Sequence, residues 1–144
     1  MNYQINEGKL TLIDDLIDES INIIKFPARQ ASLVISRAVL NQDQTEEAYF
    51  AWQMAALKRN MKRFLLGERK ATILGVETEN HKAIAAFETQ LQFEQKGVVV
   101  HQLLLSAQLP SSMRLLVLTY AQGRPITELD KQFWQSIKTS FVAV

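Results

Sequence analysis

The first third of the chain alternates apolar and polar residues in the way that β-strands do. Lys9–Ile13 predicts a short first strand. Ser20–Phe26 predicts a second strand, because it is rich in β-branched residues and ends at Pro27. Ala31–Leu40 predicts a third strand, with apolar residues on both of its faces.

The period then changes to that of a helix. Asp43 and Glu46 have the spacing of a capping box, and Gly67 is a plausible stop signal. Between them lies one apolar stripe with steps of three and four residues: Phe50, Met54, Leu57, Met61 and Phe64. The spacing predicts an amphipathic helix of about five turns.

The second half of the chain predicts a run of strands followed by a helix. The predicted strands are Ala71–Val76, Ala83–Phe93, Val98–Ala107 and Met113–Ala121, with a hairpin turn at Lys96-Gly97. Thr127 and Asp130 predict the capped start of a last helix. The order predicts an α+β fold, with one twisted, mostly antiparallel sheet and flanking helices in a single domain over residues 1–144.

Composition narrows the class of protein. Hydrophobic residues make up 47% of the 144 residues and charged residues 22%, which is typical of a globular protein. With 16 Lys and Arg against 15 Asp and Glu, the net charge of +1 gives no reason to expect nucleic acid or an anionic membrane as a partner. The N-terminus lacks the features of a signal peptide, and no apolar stretch is long enough to insert stably in a membrane. The missing signal peptide counts against an exported protein.

The candidates for chemistry are few. There is no cysteine, which excludes disulfides, thiolate metal sites and a thiol nucleophile. His81 and His101 lack the spacing of metal ligands, and we interpret them as a loop residue and an ordinary strand residue. No phosphate-binding loop or serine nucleophile motif is present. We expect no catalytic residue, no metal and no cofactor, and hence a protein that is not an enzyme.

One basic concentration runs from Lys58 to Arg63 and continues at Arg69 and Lys70. Such a stripe can bind nucleic acid by releasing counterions. We favour a solvated helix face instead, because it lies opposite the apolar stripe of the predicted helix.

In a sheet that is covered on one face only, each strand should alternate apolar and polar residues. Several predicted strands here are instead apolar on both faces. Two explanations stay open: helices of the chain itself cover both faces, or one face is open and binds an apolar partner. By strand parity one face mixes aliphatic groups with Ser and Gln. Its members are Ile21, Ile23, Ser32, Val34, Ser36, Val98, Val100, Gln102 and Leu104.

This mixed face would suit a bound apolar helix. The aliphatic groups would bury its side chains, while Ser and Gln would meet backbone polar groups where small residues allow close approach. A plainer interpretation is that Ser32 and Ser36 bond only to neighbouring backbone groups.

Two consecutive motifs, Ser20–Pro27 and Ala31–Arg37, resemble the Eag chaperones of bacterial type VI secretion, which are small DcrB-like proteins dedicated to Rhs- and PAAR-containing effectors. Beyond residues 20–37 the resemblance rests on length, element order and the Val98–Leu104 strand. Between Asn41 and Lys82 only the single amphipathic helix matches.

The resemblance implies a PsbP-like α+β fold and a cytoplasmic, claw-shaped homodimer. It implies a chaperone without nucleotide or metal that binds the N-terminal transmembrane segments of an Rhs/PAAR effector and shields them before export. The family's contact positions would fall on Ile21, Ile23, Ser32, Val34 and Ser36. Positions Val98, Gln102 and Leu104 transfer only through the hairpin strand.

Three other functions stay open at this point. A binding module for a small apolar ligand such as a lipid would need a closed pocket. An enzyme of unrecognised type and a structural assembly subunit are the remaining alternatives.

Overall fold

The structure is a computed structural model that describes residues 1–143. Its strands are β1 (Asn2–Ile5), β2 (Gly8–Thr11), β3 (Asn22–Phe26), β4 (Ala31–Val39), β5 (Lys62–Leu66), β6 (Lys70–Leu74), β7 (Ile84–Gln95), β8 (Val98–Gln108) and β9 (Arg114–Gln122). Its helices are α1 (Glu46–Asn60), α2 (Glu128–Ser140) and one 3-10 turn at Pro27–Arg29. The α+β class with an antiparallel sheet and flanking helices is confirmed.

The main sheet has seven strands. Its order is β3-β4-β9-β8-β7-β5, and β6 pairs with β7 beside β5. Every strand pair in it is antiparallel. The β7–β8 turn lies at Lys96-Gly97 as predicted, with φ of 52° and 80°, the two positive values that a type I′ hairpin turn requires.

Helix α2 closes one face of the sheet. Trp134 is 3% exposed and packs in a cluster with Leu105 and Tyr120 from the central strands. The helix begins in a complete capping box, in which Thr127 and Asp130 satisfy each other's backbone amides, as the sequence predicts. We call this side of the sheet the closed face.

Helix α1 packs on the opposite face but ends earlier than predicted. Phe50 and Met54 are buried against that face, and the helix stops at Asn60. Phe64, placed in the helix by its spacing, lies in β5 and still packs against the same cluster. Steps of three and four residues fit the end of a helix and the start of a strand alike, and pairing of β5 with β7 decides between them.

The N-terminal segment also differs from the prediction. The predicted strand Lys9–Ile13 is β2, and it pairs with a strand that the pattern did not reveal, β1. Together they form a separate two-stranded hairpin outside the main sheet. Its residues are mostly exposed, so alternation there reflects hairpin pairing and not burial against a core.

Candidate functional site

The strand register brings the predicted site residues onto one face. Val34 of β4 pairs with Thr119 of β9, and Thr119 pairs with Leu104 of β8. Ser32 connects to Gln102 in the same way through Ala121. The predicted residues on β4 and those on β8 are therefore joined only through β9, and the sequence analysis assigned no residue of β9 to the site.

Helix α1 covers only part of this face. Leu104 is 3% exposed and packs with Phe50 and Met54 beneath the helix, and Val100 packs at the margin of the same cluster. Gln102 is half-buried at the border of the covered region. The explanation in which the chain's own helices cover the sheet is therefore correct for β8 and the adjoining part of β7.

The remainder of the face is open. Ile21 and Ile23 are 60% and 65% exposed, while Ser32, Val34 and Ser36 are half-buried. We call this surface on β3, β4 and β9, with the segment leading into β3, the open strip. Its members are Ile21, Ile23, Ser32, Val34, Ser36, Thr119 and Ala121.

The polar side chains of the open strip are free for a partner. Among residues 1–143, the side chains of Ser32, Ser36 and Thr119 make no hydrogen bond within the chain. The plainer interpretation, in which the two serines bond to neighbouring backbone, is therefore not what the structure shows. An apolar surface with free hydroxyl groups can meet both the side chains and the backbone of a bound segment.

Val98 lies apart from the open strip. It is the first residue of β8, beside the β7–β8 turn, and it is exposed. Its side chain shares the parity of Val100 and Gln102, and these two residues lie between it and the centre of the sheet. Any contact of Val98 with a partner would be at the margin of the surface.

One flank of α1 forms a wall beside the open strip. Tyr49 lines a hollow together with Ile21 and Ser36. Gln53 and Ala56 follow at helical spacing on the same flank, and both are half-buried. These wall residues were missed because sequence analysis assigned only the apolar stripe of α1 to packing.

A hollow lies at each end of the open strip. The first has a volume of about 440 Å³ and is lined by Ile21, Ser36 and Tyr49 together with Asp18 and Glu19. The second has a volume of about 370 Å³ and is lined by Ser32 and Ala121, with Lys25 at its side. Between Ser32 and Ala38, six residues of extended strand span about 20 Å, which sets the length of the strip.

The Asp18 side of the first hollow is fixed locally. The backbone amide of Ser20 donates to Asp18 Oδ1 at 2.9 Å. Hydrogen bonds from Ser20 hold the pKa of Asp18 below its usual value. Arg37 on the adjacent strand donates to the carbonyl of Ser20 and to Asn22 Oδ1, so β3 and β4 meet this loop in a defined position.

The basic stripe of the sequence separates into two parts. Arg69 pairs with Glu46 at the start of α1, and its guanidinium stacks over the rings of Phe50 and Phe87. Arg69 therefore helps to pack α1, as a planar guanidinium on an aromatic ring does. Lys58 and Arg59 lie exposed in the last turn of α1, where cations complement the helix dipole.

No group of three metal-ligating side chains occurs within residues 1–143. In the same residues, no helix is both long enough and apolar enough to cross a membrane. His81 lies in a loop and His101 in strand β8, where the sequence placed them.

Comparisons with known proteins agree with this architecture. The chain is similar to Effector EagT6 of Pseudomonas aeruginosa, with 30% identity over 107 residues that cover 72% of this chain and 71% of the relative. A crystal structure of PA94, a Pseudomonas aeruginosa protein of unknown function, superposes with a TM-score of 0.71. That match covers 100% of this chain and 96% of the other at 24% identity, and it supports the fold alone.

The family model of DcrB matches residues 7–140, a range that begins within the N-terminal hairpin and ends at the last residue of α2. The match includes the whole main sheet and both helices. Together with the similarity to EagT6, it shows that this chain belongs to the DcrB-like family that includes the Eag proteins.

Proposed function

We propose that this protein is a chaperone of a type VI secretion effector. It binds the apolar helices of the N-terminal transmembrane region of an Rhs/PAAR effector in the cytoplasm and shields them until the effector is loaded for export. The similarity to Effector EagT6 supports an effector as the partner. The chaperone acts by binding alone, without catalysis or a cofactor.

The observation that carries this proposal is the open strip itself. A folded sheet leaves Ile21, Ile23 and Val34 accessible beside hydroxyl groups that no protein group satisfies. Contiguous apolar surface on a folded domain is typical of an interaction site. Its free hydroxyl groups can donate hydrogen bonds to the backbone carbonyls of a helix that approaches the strip closely.

The shape favours a helix over a small lipid. The strip is an open surface with a hollow at each end, whereas a lipid-binding module needs an enclosed pocket. Its length of about 20 Å matches about 13 residues of helix. A membrane-spanning helix needs about 20 residues and about 30 Å.

The difference in length supports a homodimer. One strip covers only about two thirds of a membrane-spanning helix. A second copy of the chain would supply a second strip, and two linked surfaces hold one client more tightly than either alone. We therefore include the homodimer in the proposal.

The experiment is co-expression of the chain with the N-terminal membrane-segment fragment of an Rhs effector from the same cell. The wild type should hold the fragment in a soluble complex. Ile23→Glu should lose it, because a carboxylate would be buried against apolar client residues. Ile73→Glu is the matched control. Ile73 is 53% exposed on the same face of the sheet, but it lies in β6, towards the edge opposite β3.

The outcomes separate the possibilities. A fragment that stays insoluble with the wild type would contradict the proposed client. Loss of the complex in both variants would mean that client binding is not confined to the open strip. Ser32→Ala should weaken binding by about 1 kcal/mol, since one hydrogen bond is lost, and Gln102→Ala should act similarly.

A further inference from the structure

Four connections of the chain meet at one end of the main sheet. They are the β3–β4 turn, the β7–β8 turn, the junction of α1 with β5, and the loop from β9 to α2. The register places them together, because β4 begins opposite the end of β9, and β9 ends opposite the start of β8. The hollow lined by Lys25 and Ser32 lies at this end of the open strip.

This end is strongly basic. Its cations are Lys25, Arg29, Lys58, Arg59, Lys62, Arg63, Lys96, Arg124 and Lys131, nine of the 16 Lys and Arg residues. Its acids are Glu94, Glu128 and Asp130, of 15 in the chain. All three acids are paired, with Arg63, Lys131 and Arg124 respectively.

All but one of the cations without a carboxylate partner are exposed. Within residues 1–143, the exposed ones are Lys25, Lys58, Arg59, Lys62 and Lys96, and the exception is the half-buried Arg29, whose guanidinium lies over the Phe133 ring. Lys25 is the nearest of them to a client, since it lines the hollow. The others lie farther away along the sheet, and at physiological salt their field is screened beyond about 8 Å.

The other end of the open strip has no such excess. Its hollow holds Asp18 and Glu19 against Arg37 and Arg114. Asp43 and Glu47 lie close by in sequence to Tyr49, before and within the first turn of α1. The strip therefore runs from a balanced or slightly acidic end to a basic end.

From this asymmetry we infer that the open strip binds an apolar helix in one polarity, with the end that carries acidic flanking residues at the basic end. The inference rests on the proposed function and adds a rule of orientation to it. The helix dipole contributes about half a charge at each terminus, so a pair of acidic residues outweighs it. A client with acidic residues after its apolar segment satisfies both effects at once.

Cysteine cross-linking tests the orientation directly, because the chain has no cysteine of its own. Ala121→Cys marks the hollow at the basic end, and Ala38→Cys marks the other hollow. The co-expressed probe is a segment of about 20 Leu and Ala residues with two Lys at one end and two Glu at the other. A single Cys stands beside the Glu pair. In a second probe the Lys and Glu flanks are exchanged, and the Cys moves with the Glu pair.

We expect the Cys beside the Glu pair to form a disulfide with position 121 about fivefold more than with position 38 after mild oxidation. The preference should follow the Glu pair in both probes and fall in 0.5 M NaCl. In a Lys25→Glu background it should shrink, whereas Lys82→Glu, in the β6–β7 connection at the other end, should leave it unchanged.

Each result has a distinct meaning. Equal cross-linking to both positions would overturn the polarity while leaving the proposed function intact. A preference that stays with the same chain terminus after the flanks are exchanged would overturn the role of charge. Failure of both probes to form a complex would overturn the inference, whereas co-expression with the effector fragment tests the proposed function separately.

Discussion

The two faces of the main sheet are built from the same strands but finished differently. On the closed face, Trp134 Nε1 and Lys138 Nζ both donate to Glu88 Oε2, at 2.8 and 2.7 Å, so that α2 is fixed to β7. On the opposite face, α1 covers β8 and leaves β3 and β4 open. There, the Thr89 hydroxyl is buried without a hydrogen-bond partner in the described chain.

The difference indicates that the closed face contributes mainly to stability and the open strip mainly to binding. Buried polar groups on the closed face are satisfied, which a permanent core requires. The free hydroxyl groups of the open strip are accessible to solvent, so leaving them unpaired costs little until a partner covers them. We therefore expect substitutions on the closed face to change folding and substitutions on the open strip to change binding.

The largest change in the free energy of unfolding should distinguish the part of the face that α1 covers from the open strip. Leu104→Glu would place a carboxylate beneath α1, and we expect it to lower the free energy of unfolding by at least about 4 kcal/mol. Ile23→Glu on the open strip should change it by less than about 1 kcal/mol. Urea unfolding followed by circular dichroism measures both, and equal losses would mean that the two regions are not distinct.

A tryptophan pair tests the closed face next. Trp134→Ala should lower the free energy of unfolding by about 3–5 kcal/mol, because it leaves a cavity between α2 and the sheet. Trp52 is 60% exposed on α1, and Trp52→Ala should cost about 0.5 kcal/mol or less. Circular dichroism suits both, since each variant loses a fluorophore. A small loss for Trp134→Ala would contradict the closed core.

The ion pair that fixes α2 should have the third largest effect. Glu88→Ala leaves the buried Lys138 ammonium without its carboxylate, at a cost of about 2–3 kcal/mol. Glu128→Ala is the control, because its pair with Lys131 at 3.6 Å is exposed and should contribute less than about 0.5 kcal/mol. If the two variants unfold alike, the Glu88 contacts do not anchor the helix.

The smallest expected effect is a pH dependence. Burial works to raise the pKa of Asp130, but hydrogen bonds from Thr127 and Gln122 and the charge of Arg124 together hold it below its usual value. A depressed pKa adds stability above about pH 4, and that stability is lost as the pH falls through the native value.

Asp130→Asn should therefore be less stable than the wild type at pH 7, by about 1–2 kcal/mol, and the difference should narrow at pH 3. Chemical unfolding at the two pH values measures this. A difference that stays constant or widens on acidification would contradict the assignment of the charge to Asp130.

Local pattern predicted much of this fold. Period-two alternation located six of the seven strands of the main sheet within a few residues, all but β5, and placed Ser32, Val34 and Ser36 on one face. The Thr127 capping box was evident because helix starts are local signals.

Long-range pairing could not be predicted in the same way. That Val34, Thr119 and Leu104 form one row depends on the register of three strands far apart in sequence. Which half of the face α1 covers depends on packing, so the pattern could not distinguish the buried Leu104 from the half-buried Val34. Whether the predicted residues bind a partner stays a prediction.

The most direct test is a fluorophore that reports burial, attached at a single cysteine. Ser36→Cys places it on the open strip, and Ser136→Cys places it on the exposed side of α2. We predict that the client fragment shifts the emission of the label at position 36 to shorter wavelength, in a saturable way, and leaves the label at position 136 unchanged. A complex that forms without changing position 36, or that changes position 136 alone, would contradict binding at the open strip.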